Sequence, residues 1–231
     1  MGDDLPPPKR KPAEHVLNVV KGVLSTLPYA GGLASLIDDY VPKSTERAVW
    51  QALEFLNEKL GRLKERIRQE PDPDEFSDMF KSFMVVAQRS TRKEKLRAVA
   101  GILANALLKP GDKQKLPYTE LDHFARVVES LSAGAIAVLG VVRKRADNRK
   151  PSQFGSYELA AGDIVPGVSE TDPKLAISLM CELDAWDLLV VDRGIGYARV
   201  GSLYATNMPV ALTAMGVRFV DHVLQVGEDS P

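Results

Sequence analysis

Hydrophobic residues recur along this chain at helical intervals, broken by short proline- and glycine-rich turns. Val16, Val19, Val20, Val23 and Leu27 fall at three- and four-residue steps, with Asn18, Lys21, Gly22 and Ser25 between them. That is the pattern of a helix with one apolar face. The sequence Pro28-Tyr29-Ala30-Gly31-Gly32 breaks the run, and Leu33, Leu36 and Ile37 resume it before Asp38-Asp39. Residues 16–37 therefore read as a helical hairpin. Neither arm approaches the roughly 20 apolar residues needed to span a bilayer. Two roles remain open for its apolar face: burial in a core, or insertion into a membrane surface once a trigger releases it.

Ser44 stands where an N-cap belongs, ahead of a long helix over residues 45–69. Val49, Leu53, Leu56, Leu60, Leu63 and Ile67 alternate steps of four and three, which is an a/d seam. The seam is too short for a free-standing coiled coil, so it predicts a bundle helix, with homodimerisation as the alternative. Pro71-Asp72-Pro73-Asp74 ends it, because the residue before a proline avoids helical geometry. Asp74 is the expected N-cap of a helix with the stripe Phe76, Met79, Phe80, Phe83, Val86 and Ala87. Thr91-Arg92-Lys93-Glu94 has capping-box spacing. The helix it opens carries Leu96, Val99, Ala100, Leu103, Ala106 and Leu107 as far as Lys109, where Pro110-Gly111 stops it.

The second half begins with a helix opened by Pro117-Tyr118-Thr119 and lined by Leu121, Phe124, Ala125, Val128 and Leu131. Another is expected over residues 132–145 and a short one over 157–165. Thr171 or Asp172 caps the next, with Pro173 at its favoured first position. Residues 188–191 read as a strand, and 192–196 as a turn into a second strand over 197–200. A last helix runs from Thr213 through Val217, Val220, Val223 and Leu224. The pattern defines a mainly α protein: a tail over residues 1–12, a helical bundle of about five helices over 13–115, and an α+β domain over 116–231.

Composition narrows the function classes. The chain has 231 residues, 45% hydrophobic and 26% charged, which excludes wholesale disorder. The net charge of -1 conceals +4 over residues 1–115 and -5 over 116–231, so two modules with different surfaces are expected. The tail joins Pro6-Pro7-Pro8 to Lys9-Arg10-Lys11, and Lys21 interrupts the apolar run that follows. A secretory signal is not expected. The anticipated location is the cytoplasm, with membrane association only on activation. Cys181 is the single cysteine and the three histidines stand at 15, 123 and 222, a set without disulfide or metal-ligand spacing. Asp72, Asp74 and Glu75 suit a helix start better than a calcium loop. No hydrolase triad, phosphate-cradling loop or zinc-protease motif stands out. The expectation is a non-enzymatic protein with no catalytic residues, no metal and no cofactor.

Two basic clusters remain. Arg89, Arg92, Lys93, Lys95 and Arg97 crowd one helix start, and Arg143, Lys144 and Arg145, with Arg149 and Lys150 beyond, crowd a helix end. Each is either a solvated helix terminus, the second matched to the helix dipole, or a set of phosphate contacts. Nucleic acid is the disfavoured partner, and a protein partner or homo-oligomer the favoured one.

The segment Leu183-Asp184-Ala185-Trp186-Asp187-Leu188-Leu189, then a hairpin, then Ala211-Leu212-Thr213-Ala214-Met215-Gly216-Val217-Arg218-Phe219 resembles the end of a winged-helix domain. The resemblance covers about the last hundred residues and implies a helix, short helix, helix, β-hairpin, helix order. The helix from Pro173 has Lys174 against Glu182 and Asp184, which is poorly suited to reading DNA and suits protein contact. Leu27-Pro28-Tyr29-Ala30-Gly31-Gly32-Leu33-Ala34-Ser35-Leu36-Ile37, with Glu94-Lys95-Leu96-Arg97 and Leu103-Ala104-Asn105, resembles a loose group of bacterial proteins joining a helical bundle to a winged-helix tail. Their layout is similar to that of abortive-infection alpha-like proteins, and the helical half is loosely similar to Bell and HeLo cell-death domains. The resemblance implies a defence or stress effector that perturbs membranes when triggered; the alternative is a DNA-binding winged-helix regulator.

Overall fold

The computed structural model describes residues 46–68, 72–147, 159–164, 173–191 and 208–225. The expected hairpin with Val16, Val19, Val20, Val23, Leu27, Leu33, Leu36 and Ile37 lies outside them, as do Ser44, Arg149, Lys150 and the turn and strand expected over 192–200. Among the described residues the protein is mainly helical, with a small three-stranded sheet.

Helix α1 (Glu46–Arg62) carries the predicted seam. Val49, Leu53, Leu56, Leu60 and Leu63 are all buried, while Glu54, Glu58 and Arg62 face solvent. The helix stops earlier than its periodicity suggests. Leu63 lies in a turn, Lys64–Arg66 forms a 3-10 turn, and Ile67 is extended, bridged to Leu108. Arg68 N–H donates to the Leu107 carbonyl and Lys109 N–H to that of Arg66. Pairing with a segment forty residues away thus replaces the last turn of the seam, and Ile67 packs against the core from a strand-like position.

Helix α2 (Pro73–Arg89) is capped by Asp72, not Asp74: the Asp72 carboxylate accepts from the N–H groups of Asp74 and Glu75. Pro73 at the first position needs no donor there. Phe76, Phe80 and Phe83 stack in succession at 5.9 and 6.0 Å. Helix α3 (Lys93–Ala106) begins without the predicted capping box, since Arg92 is its N-cap residue and makes no side-chain cap. It also ends at Ala106, because Leu108 is drawn into the bridge with Ile67. Helix α3 packs against α1, α2, α4 (Tyr118–Ser130), α5 (Ala133–Asp147) and the π-helical segment Val220–Leu224.

The sheet is built from β1 (Leu159–Ala160), β2 (Leu189–Val191) and β3 (Pro209–Leu212), antiparallel in the order β1-β3-β2. Leu159 pairs with Val210, and Leu189 with Leu212. Strands β1 and β3 were not apparent in the residue pattern. The expected helix over 157–165 is β1 followed by the single turn α6 (Ala161–Ile164), and β2 finds its described partner at 209–212. Short strands of two to four residues carry too few alternations to be read as such.

Helix α7 (Pro173–Ala185) ends in a Schellman motif. Leu188 N–H reaches the Leu183 carbonyl, Asp187 N–H reaches that of Asp184, and Asp187 takes a φ of 55°. Buried Leu183 and Leu188 provide the apolar contact that accompanies this cap. Thr213 then caps α8 (Ala214–Phe219) by accepting from Gly216 N–H at 2.8 Å. A Cβ on Gly216 would lie 1.9 Å from the Leu188 carbonyl oxygen, so glycine alone permits α8 to sit against that turn. One contiguous core runs from Val49 on α1 to Val223 in the π-helical segment.

Candidate functional site

The last helix is held to the bundle by polar groups from distant elements. A helix leaves its final carbonyls without intrahelical donors, and here side chains supply them. Asn105, fully buried on α3, donates through Nδ2 to the carbonyl of His222 (3.0 Å), and Gln114 Nε2 approaches that of Asp221 (3.5 Å). Lys59 of α1, 7% exposed, donates through Nζ to the carbonyl of Leu224 (2.8 Å). The Asn105 Oδ1 atom also accepts from Leu116 N–H (2.9 Å), so that side chain serves both sides. Helix α3 is finished in the same way: Lys115 Nζ donates to the carbonyls of Asn105 and Ala106. Burial pushes the Lys115 ammonium below the usual lysine value. At Gly101 a Cβ would stand 1.9 Å from the Val223 carbonyl oxygen, so backbone meets backbone there.

This docking absorbs part of the basic residues that the sequence offered as phosphate contacts. Arg143 forms a two-point pair with Asp221, Nε to Oδ1 at 3.0 Å and an Nη to Oδ2 at 3.3 Å. Lys144 is exposed and Arg145 half-buried. In the other cluster Arg89 pairs with the Glu129 carboxylate, and Lys95 Nζ donates to the Glu129 carbonyl at 2.8 Å. Burial lowers the Lys95 pKa, opposed by Glu129 and Glu182. Arg92 and Lys93 face solvent. Arg97 lies over the Phe55 ring, 4.8 Å from its centroid. The two clusters are thus fastened to different partners.

Arg97 and Phe55 border a cleft of about 320 Å³ lined also by Glu58, Lys59, Arg62 and Leu224. Three cations and one carboxylate converge there from α1 and α3, with the end of the π-helical segment at one wall. Sequence reading placed Lys59 on the solvated side of the seam; the structure buries it because Leu224 arrives on that flank. A lone Asn within an apolar helix was the available signal for Asn105, since buried polar groups need partners.

Among the described residues no group of three or more His, Cys, Asp or Glu side chains is placed to hold a metal ion. No single helix among them is long and apolar enough to cross a membrane. No known family, curated protein or solved structure matches this chain.

Proposed function

We propose that this chain is a non-enzymatic interaction protein, in which a winged-helix module is fixed to a helical bundle and contacts protein in place of DNA. The element order α5-β1-α6-α7-β2-β3 and the antiparallel strand order β1-β3-β2 support the winged-helix reading. In a DNA-reading module of this type the helix corresponding to α7 lies in the major groove. The observation that carries the proposal is what lies on α7 and its neighbouring strand. Lys174 is the one cation of α7. The large hydrophobics Leu175 on α7 and Val190 on β2 are each 52% exposed. Glu182 is occupied internally, accepting from the Ser132 hydroxyl at 2.8 Å. Phosphate neutralisation supplies most nucleic-acid affinity, and this face offers little of it. Apolar residues in the open are what a protein partner, a second copy of the chain included, would cover.

The experiment is a retardation titration of duplex DNA at physiological salt, paired with sedimentation of the full chain. Binding is expected no tighter than the non-specific range, about 10⁻⁴ to 10⁻⁶ M. Concentration-dependent association weakened by Leu175→Glu would place a second copy on this face. Nanomolar, sequence-selective DNA binding lost in Lys144→Glu/Arg145→Glu would reverse the proposal in favour of a DNA-binding regulator. Those two residues are chosen because Arg143 also holds Asp221, so its removal would loosen the fold.

A further inference from the structure

The cleft between α1 and α3 makes no use of α7 or β2, and its chemistry stands apart from the interaction surface proposed above. Its residues come from three elements: Phe55, Glu58, Lys59 and Arg62 from α1, Arg97 from α3, and Leu224 from the π-helical segment. We propose that it binds a small organic phosphate. Lys59, Arg62 and Arg97 against Glu58 leave a local charge of +2, which complements a phosphate monoester carrying close to two negative charges near neutral pH. A concave site lined by one sign of charge concentrates the field at its mouth. The guanidinium groups of Arg62 and Arg97 match the geometry of phosphate oxygens.

The site is also partly ordered in advance. Arg97 is held over the Phe55 ring at 4.8 Å, and Lys59 Nζ is fixed on the Leu224 carbonyl at 2.8 Å. A side chain already restrained loses less entropy when it meets its ligand. The volume of about 320 Å³ lies in the range of small-ligand pockets and is far too small for a duplex. Phe55 gives the organic part of the ligand an apolar wall. Because Lys59 touches both the cleft and the last helix, occupancy would brace the end of that helix.

The test is calorimetric titration of the full chain with inorganic phosphate, adenosine 5′-monophosphate and adenosine. Binding is expected for the two phosphates and absent for adenosine. Arg97→Ala and Arg62→Ala are each expected to weaken binding about tenfold, the loss of a charged hydrogen bond. Arg97→Lys should restore only part of the affinity, and Arg126→Ala, on α4, none of these changes. Arg62 and Arg97 reach solvent, so these variants should fold, which circular dichroism verifies. Lys59 is left intact because it caps Leu224. No binding of either phosphate at millimolar concentration overturns the proposal, as does wild-type affinity in both arginine variants or equal affinity for adenosine. Binding of duplex DNA alone, lost in Arg97→Ala, would also overturn it and assign the cleft rim to nucleic acid.

Discussion

Helices α1 and α3 lie side by side but belong to different kinds of surface. Helix α1 is amphipathic. Val49, Leu53, Leu56 and Leu60 are buried on one side, and Glu54, Glu58, Gly61 and Arg62 are exposed on the other. Helix α3 starts the same way, with Lys93, Glu94 and Arg97 in solvent, and then loses its polar face: every residue over 98–108 is buried. Its neighbours on all sides explain this, since α1, α2, α4, α5 and the π-helical segment enclose it. A helix at the edge of a bundle needs one apolar stripe, whereas a central helix must satisfy every neighbour at once. Small residues let those neighbours approach. Ala98, Ala100, Gly101, Ala104 and Ala106 supply the space, and Asn105 supplies the hydrogen bonds the surrounding backbone lacks.

The strongest way to break this comparison is to charge the seam of α1. Leu60 is buried against the core, so Leu60→Asp buries an unpaired carboxylate and should destabilise by about 3–5 kcal/mol. Urea unfolding reads it, and an unchanged midpoint would mean that α1 does not pack as described. Next comes a single methyl on α3. Gly101→Ala places a Cβ where the Val223 carbonyl oxygen stands, and the overpacking should cost about 3 kcal/mol. The same substitution at Gly61, which has open space around it, should stabilise slightly, by about 0.5–1 kcal/mol. Equal effects at the two glycines would erase the distinction between an edge helix and a central one.

A smaller effect concerns the junction between the two helices. Arg66 beside Asp112 (2.6 and 2.8 Å) holds the Asp112 carboxyl below the usual carboxylate range; partial burial opposes this and a hydrogen bond from Gln114 N–H adds to it. A depressed folded-state pKa stabilises the protein above the unfolded value of about 3.9, and that contribution is lost as pH falls through the lower, folded value. Asp112→Asn should therefore lower the melting temperature at neutral pH and flatten its decline below about pH 4. The difference between variant and wild type should vanish in strong acid. A parallel pH profile for both proteins would remove this pair from the acid response.

The smallest effect belongs to the surface. Arg89 and Glu129 form an ion pair with side chains 71% and 44% exposed. Arg89→Ala should change stability by less than about 1 kcal/mol, and salt should reduce the difference further. A loss of several kcal/mol would show that the start of α3 is more tightly tied to α4 than its exposure indicates.

Local pattern was enough to find most helices. Turn-by-turn repetition is a property of neighbouring residues, and the seam of α1, the aromatic stripe of α2 and the start of α7 at Pro173 all follow from it. Even the turn after α7 was legible, because Leu183 and Leu188 bracket it. What failed in each case depended on a partner far along the chain. Helix α1 ends before Ile67 because Leu108 takes that residue into a bridge. Strands β1 and β3 exist because they pair with each other, and neither has the length to announce itself.

The candidate cleft shows the same division. Sequence supplied Arg97 as one cation in a basic cluster and Lys59 as a charge beside a seam. Nothing local joins a residue at 59 to one at 97 or to the carbonyl of Leu224. The apolar spacing of this protein determined which segments are helical and which faces seek cover. The tertiary structure decided which ends are capped, which cations are consumed by Glu129 and Asp221, and which converge on one cleft. The physical reason is that periodicity is encoded within a few residues, whereas hydrogen-bond and charge partners across the core are fixed only when distant segments meet.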